Sequence, residues 1–314
     1  NGDLLITFDR FYRVRDLYYP NVGRYNHTDG NIQRFGFWAD GQFAWVEDPS
    51  WERHLAYRPD SLVTEVRLVN RKLNLEVTCS DAADFADPIF FRHITAKDTS
   101  GKPGGRDVRV FFHLDPSIRG SFVGDTANYD PVTNSIVFYK EDAYFLMSAA
   151  GETKSGIDHW AIGTKRLGGA EGTWRDAEDG ILGRNAISQG SVDATAGFSL
   201  PLLPNGSASL TLWIACGSSY DQVKAQNRRI LAQGPNAMLA RCDAYWRLWS
   251  RKEGLDTSAL PAPIRDLYTR SQLVMRTQID NRGAIIAAND SDITQFAGDH
   301  YSYCWMRDGA LVAY

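Results

Sequence analysis

What most constrains this chain is a change in hydrophobic period near residue 217. Before it, short apolar-polar alternations are punctuated throughout by Gly, Pro, Asn and Asp. A period of two puts successive side chains on opposite faces of a strand. In residues 61–69, Leu62, Thr64, Val66 and Leu68 fall on one face, with Val63, Glu65 and Arg67 on the other. A turn at Asn70-Arg71-Lys72 then leads into residues 73–77, which pair back on that strand. Asp40-Gly41, between residues 35–38 and 42–46, is a hairpin signal because Gly accepts positive φ. A short turn separates strands expected at 4–8 and 12–15, and further strands are expected at 89–96, 108–114, 135–139, 143–148, 159–163 and 207–216. So many hairpins without helices between them predict a large antiparallel β-sandwich over residues 1–217.

Beyond that point the period becomes helical. Residues 220–232, 235–252 and 261–281 read as three helices. The second carries Leu239, Cys242, Trp246 and Trp249 on one face, and the third opens on Pro261 and closes before Gly283. Residues 253–260 read as a hinge. The order of β followed by α predicts two domains, 1–217 and 261–314, joined by a helical linker at 218–260.

Composition bounds the partners. A chain of 314 residues with 43% hydrophobic content can build a sizeable core. A formal net charge of −4, with no basic stripe, argues against a nucleic-acid partner. No apolar run reaches transmembrane length, so no membrane partner is expected. No signal peptide is visible, which leans the expectation towards the cytoplasm, although the first residue is Asn rather than Met. Cys79, Cys216, Cys242 and Cys304 are scattered without C-x-x-C spacing, which argues against zinc. They are expected as buried reduced thiols, with a disulfide between distant strands left open. His27, His54, His93, His113 and His159 show no ligand spacing. Trp38, Trp45, Trp51, Trp160 and Trp174 suit either a sandwich core or a sugar-binding surface, with core favoured. Gly101-Lys102-Pro103-Gly104-Gly105 lacks the order of a phosphate-binding loop and reads as a hairpin turn.

The densest chemistry lies at the end. Residues 300–314, HYSYCWMRDGALVAY, put Tyr301, Tyr303, Trp305, Arg307 and Asp308 close together, followed by an apolar run. Aromatic rings stack on the C–H face of a pyranose, and an Arg-Asp pair makes directional hydrogen bonds to its hydroxyls. Read as a loop entering a helix, Trp305, Asp308 and Val312 share one face. Arg307 and Asp308 both reach a pocket only from the helix start, where an acidic group also suits the helix dipole. An aromatic-rich helix packed into a core, with one satisfied ion pair, fits the same residues.

The run Y-x-Y-x-W-x-R-D-x-x-L, from Tyr301 to Leu311, closely resembles the first substrate-binding segment of glycoside hydrolase family 15, the glucoamylase family. The opening of the chain is similar to bacterial members: Asn1 to Leu5, Phe8-Asp9, Val14 to Pro20, then Val22-Gly23 and Asn26-His27. The resemblance implies a β-sandwich followed by linker helices and an (α/α)6 barrel beginning at Pro261. It implies an inverting, exo-acting hydrolase that releases glucose from non-reducing ends of α-glucans, with isomalto-oligosaccharide, dextran or trehalose as alternative substrates. Tyr301, Trp305, Arg307 and Asp308 would then bind the terminal glucose. The general acid and base, both Glu in the family, would lie beyond Tyr314, so no catalytic residue is assigned in this chain. No cofactor is implied, and the partners are an α-glucan or oligosaccharide and the chain's own C-terminal barrel. Asn289 and Asp290 fall in a region that the resemblance places near the pocket mouth, while Asp292 and Asp299 read as caps and turns. The competing expectation is a non-catalytic β-sandwich that binds glycan or supports the barrel.

Overall fold

A computed structural model describes residues 1–165, 168–252, 256–289 and 302–313. The strands run in chain order as β1 (Leu5–Phe8), β2 (Val14–Asn21), β3 (Arg24–Asn26), β4 (Arg34–Ala39), β5 (Gln42–Trp45) and β6 (Glu52–Tyr57). Next come β7 (Thr64–Asn70), β8 (Leu75–Ala83), β9 (Ile89–Asp98), β10 (Val108–Leu114), β11 (Asp125–Asp130) and β12 (Ser135–Lys140). The last are β13 (Ala143–Gly151), β14 (His159–Thr164), β15 (Ile187–Gly190), β16 (Val192–Ser199) and β17 (Ser207–Gly217). Helices follow as α1 (Tyr220–Gln233), α2 (Pro235–Trp249), α3 (Ala262–Thr277) and α4 (Met306–Ala313).

The strands form the expected antiparallel sandwich. A five-stranded sheet ordered β14-β16-β10-β4-β5 faces a nine-stranded one ordered β15-β11-β12-β13-β17-β9-β8-β7-β6. A small third sheet, β1-β2-β3, completes the architecture. Phe35, Phe37, Val110 and Phe112 of the smaller sheet share the main core with Leu68, Val77, Ile94, Leu212 and Ile214 of the larger. Alternation sets the register. In β7 buried and exposed residues alternate from Thr64 to Leu68. In β17 both faces are covered: Leu210, Leu212, Ile214 and Cys216 join the sandwich core, while Trp213 and Ala215 join a second cluster on the outer face. Helices α1 and α2 close that outer face with Val223, Ile230, Leu239, Cys242 and Trp246, and α3 adds Leu273. Trp213 Nε1 donates to Asn227 Oδ1 at 2.9 Å, which ties sheet to helix.

Several expected bounds shift. The strand expected at 12–15 begins at Val14, because Tyr12 takes φ 66° in the preceding turn and is buried there. The second helix ends at Trp249 rather than 252. The third ends at Thr277 rather than 281, because Asp280 N turns back to Ala284 O at 2.8 Å. Strands β3, β6, β11 and β16 carry no clear alternation. The central β16 is instructive: its small residues let the neighbouring strand's aromatic side chains in. Phe112 lies opposite Ala196, and a Cβ on Gly197 would stand 2.7 Å from the Phe111 ring. Strand β6 is an edge with little burial. All four cysteines are free; Cys79, Cys216 and Cys242 are buried as expected, whereas Cys304 is exposed.

Candidate substrate-binding site

The aromatic segment is anchored by the stretch after α3. Ala287 N donates to Tyr303 O at 2.9 Å, and Gly309 N donates to Trp305 O at 2.8 Å as α4 begins. Trp305, Asp308 and Val312 share a helical face. They line a cavity of about 140 Å³ with Met275, Gln278 and Ile286. Arg307 does not line it: its side chain is 85% exposed, and Nε donates to Asp308 Oδ1 at 3.0 Å. That hydrogen bond raises the already high Arg307 pKa. Tyr301, Asp290, Asp292 and Asp299 lie outside the described residues.

A larger cavity, of about 590 Å³, shares Met275, Gln278 and Ala287 with the first. It lies where α3 and strand β1 meet β7 and β8. Asp81 lines it, but its carboxylate is already engaged. Arg92 Nε donates to Oδ1 at 2.6 Å, Thr64 Oγ1 donates to Oδ2 at 2.9 Å, and the Tyr12 hydroxyl also donates to Oδ2. Burial pushes the Tyr12 hydroxyl pKa far up, so Tyr12 stays a donor. With three donors on it, Asp81 anchors the cavity rather than supplying a free base. At the rim the Arg270 guanidinium sits 4.5 Å from the Tyr57 ring centroid, and its Nη1 donates to Ser61 O at 2.8 Å. Asn289 also lines this cavity. Its Nδ2 donates to Gln278 Oε1 at 3.0 Å, while its Oδ1 is buried without a protein partner among the described residues.

The structure thus puts Trp305 and Asp308 in one cavity and Asn289 in the adjoining one, while Arg307 faces solvent. Sequence reasoning missed Tyr57, Thr64, Asp81, Arg270, Met275 and Gln278. Nothing in their spacing marks them; they converge only where α3 and β1 meet the ends of β6, β7 and β8. The other candidates have structural partners. Trp45 and Trp51 are buried, and Trp160 stacks on Tyr129 with centroids 3.7 Å apart. Arg34 lies 4.9 Å from the Trp174 ring centroid and 5.5 Å from that of Trp45. The Arg109 guanidinium sits 4.6 Å from the Trp38 ring centroid. His27 and His113 are buried and hydrogen-bonded, His93 pairs with Thr211, and His54 pairs with Glu52 at the surface. Among the described residues, no group of three or more His, Cys, Asp or Glu side chains is placed to hold a metal ion. No described helix is long and apolar enough to cross a membrane.

No protein-family model and no curated protein sequence matches the chain. Among solved structures it is similar to a crystal structure of a bacterial glucoamylase complexed with acarbose, with a TM-score of 0.72 and 14% identity. That likeness covers 98% of this chain and 44% of the glucoamylase chain, so this chain spans less than half of that protein. At such identity the likeness shows the fold. A putative kojibiose phosphorylase from the human microbiome overlaps over 78% of this chain and 31% of its own, at 12% identity and a TM-score of 0.42. A family GH92 inverting mannosidase from Bacteroides thetaiotaomicron overlaps over 76% and 29%, at 10% identity and the same TM-score of 0.42. Neither overlap is close enough to carry an argument.

Proposed function

We propose that this chain is the N-terminal part of a carbohydrate-active enzyme, an inverting exo-acting α-glucoside hydrolase that releases glucose from non-reducing ends of α-glucans. In this reading residues 1–217 are the supporting sandwich, 218–260 the helical linker, and 261 onward the start of an (α/α)6 barrel. The observation that carries it is the placement of Trp305 and Asp308 on one face of a helix start, lining one cavity, in a chain with this fold. Trp305 walls the terminal sugar, Asp308 accepts from its hydroxyls, and Arg307 donates to them once it turns from solvent to ligand. Tyr301 completes the set. The acid and base act from the barrel beyond this chain, roughly 6.5–9.5 Å apart so that water fits between base and sugar. The barrel's remaining helices cover the apolar residues that α3 and α4 expose.

The test uses the protein carrying this chain and its barrel. Maltotriose, isomaltotriose and trehalose are each incubated with it and the first-formed anomer is read by NMR. β-Glucose from one of them supports inversion and names the linkage. Arg307→Ala should lower kcat/KM about ten- to a hundredfold, the loss expected for a hydrogen bond to a charged group, with an unchanged melting temperature. Wild-type turnover in a folded Arg307→Ala protein would count against the assignment.

A further inference from the structure

On another side of the β2–β3 turn lies a cleft of about 500 Å³, well inside the roughly 300–1,000 Å³ range of small-molecule sites. Asp3, Tyr25, Arg119, Asp142, Gln222 and Arg282 line it, and they come from six separate stretches of chain. We propose that this cleft binds a neutral oligosaccharide, as a subsite distinct from the Trp305–Asp308 cavity.

Charge balance first argues against a ligand of a single charge sign. Two carboxylates, Asp3 and Asp142, face two guanidiniums, Arg119 and Arg282, so neither a phosphate nor an amine meets a field of one sign. A sugar hydroxyl uses both signs, because it donates to a carboxylate and accepts from a guanidinium. Arg119 and Asp142 already form an ion pair, and Arg119 Nη1 also reaches Glu141 at 3.0 Å, so the charges on that side of the cleft are already paired. The opposite groups are open. Among the described residues Asp3 and Arg282 have no ion-pair partner, and the Tyr25 hydroxyl has no protein hydrogen bond. Gln222 uses its Oε1 for Ser218 N at 2.8 Å, which leaves its amide nitrogen to donate. The Tyr25 ring, with the Arg24 and Arg119 guanidiniums 5.1 and 5.6 Å from its centroid, supplies the aromatic edge of the cleft, and a pyranose stacks on the ring surface they leave free.

The backbone beneath is rigid. The His27 Nε2 bonds to Tyr19 O at 2.7 Å, and its Nδ1 accepts from Arg119 N at 3.1 Å, so one buried ring positions both the β2–β3 hairpin and Arg119. The same hairpin touches the aromatic segment: a Cβ on Gly23 would lie 2.7 Å from Ile286 Cδ1 and 3.1 Å from Ser302 Cβ. A chain held in the cleft therefore lies against the element that braces the Trp305 segment.

The choice of α-glucan as probe rests on the function proposed above; the choice of a neutral polyol does not. The experiment is a titration of the chain with maltoheptaose, followed by calorimetry and by saturation-transfer NMR. Binding that weakens about tenfold or more in Tyr25→Ala and in Arg282→Ala, and stays within twofold in Lys102→Ala, an exposed side chain that lines neither cavity, is the expected result. Tyr25→Phe keeps the ring and guards against misfolding, and it should retain part of the affinity. Binding lost only in Arg307→Ala would overturn the cleft and leave the proposed function standing. Tighter binding of glucose 1-phosphate than of maltose would overturn the neutral ligand. No binding of maltoheptaose, or equal binding by all variants, would overturn the subsite.

Discussion

The sandwich and the C-terminal helices use the same amphipathic logic with opposite outcomes. Strand β17 buries both faces, one against the opposing sheet and one against α1 and α2. Helix α3 buries only Leu273, and α4 buries none of its residues. Ile264, Leu267, Val274 and Leu311 remain exposed on them, Leu267 by 62% and Leu311 by 73%. The difference is a partner layer, because an apolar stripe gains its hydrophobic free energy only when a second surface removes it from water. The function proposed here supplies that layer from the barrel. Each region can therefore be probed for what it loses when one side chain is cut back.

The largest effect is expected at Trp213. It is fully buried and bonded to Asn227, so Trp213→Ala leaves a cavity under α1 and an acceptor without its donor. A loss of about 3–5 kcal/mol is expected, read as a lower urea midpoint. A loss under about 1 kcal/mol would mean that the outer face is as loosely held as α3, and the contrast between the regions would fail.

That contrast was only half legible in the sequence. Strands such as Thr64–Asn70 could be read from the sequence, because buried and exposed residues alternate from Thr64 to Leu68 and turn residues follow them. Helix α2 was legible because one face is apolar, whereas α1 carries Gln226 and Asn227 between Val223 and Ile230 on its buried face. The small-residue strand β16 was not legible, since its residues are chosen for close approach to Phe111 and Phe112 rather than for strand propensity. Within the site, Trp305 and Asp308 could be placed on one face by helical spacing. The outward Arg307 could not, because adjacent helical positions diverge by about 100° and only tertiary contacts select between them. Asp81, Tyr57 and Arg270 are separated by long stretches of chain and meet only after folding.

A second expectation concerns pH, and it belongs to the sandwich side. Burial, then Arg119 and Lys140 nearby, lower His27 to about 4, against the pull of its bond to Tyr19 O. Because the folded value lies below the unfolded one, its contribution is complete above pH 6.5 and is lost as pH falls towards 4. Burial raises Asp125 to about 6, against the pull of Ile118 N–H and Lys140. Its folded value lies above the unfolded one, so the chain gains stability as pH falls from 6 to below 4. Each effect is worth roughly 3 kcal/mol, and they oppose each other around the turn formed by residues 118–120. Wild-type stability should therefore change little between pH 6.5 and 4 from this pair. Asp125→Asn should fall on acidification by about 3 kcal/mol, read from urea midpoints at several pH values. A flat profile in that variant would show that His27 does not titrate as its burial requires.

A smaller effect tests the joint between the regions. Gly23 has φ 86°, and its missing Cβ leaves room for Ile286 and Ser302. Gly23→Ala adds a left-handed penalty and a contact clash, about 1–2 kcal/mol together. Its effect should be local, with faster hydrogen exchange at Ala287 N and altered Trp305 fluorescence while the sandwich melts near its usual temperature. Equal loss throughout the sandwich would show that the two regions unfold as one unit.

The smallest effect is the most discriminating. Leu267→Ala in this chain should cost no more than about 0.5 kcal/mol beyond helix propensity, because the side chain is already largely in water. In the protein that carries the proposed barrel, the same substitution should cost about 2–4 kcal/mol if the barrel covers this face. The difference between the two measurements isolates the cover, since the propensity change is common to both and cancels. A difference near zero would mean that Leu267 faces solvent in both proteins. The exposed stripe of α3 would then be its final surface, and the barrel, if present, would have to pack elsewhere.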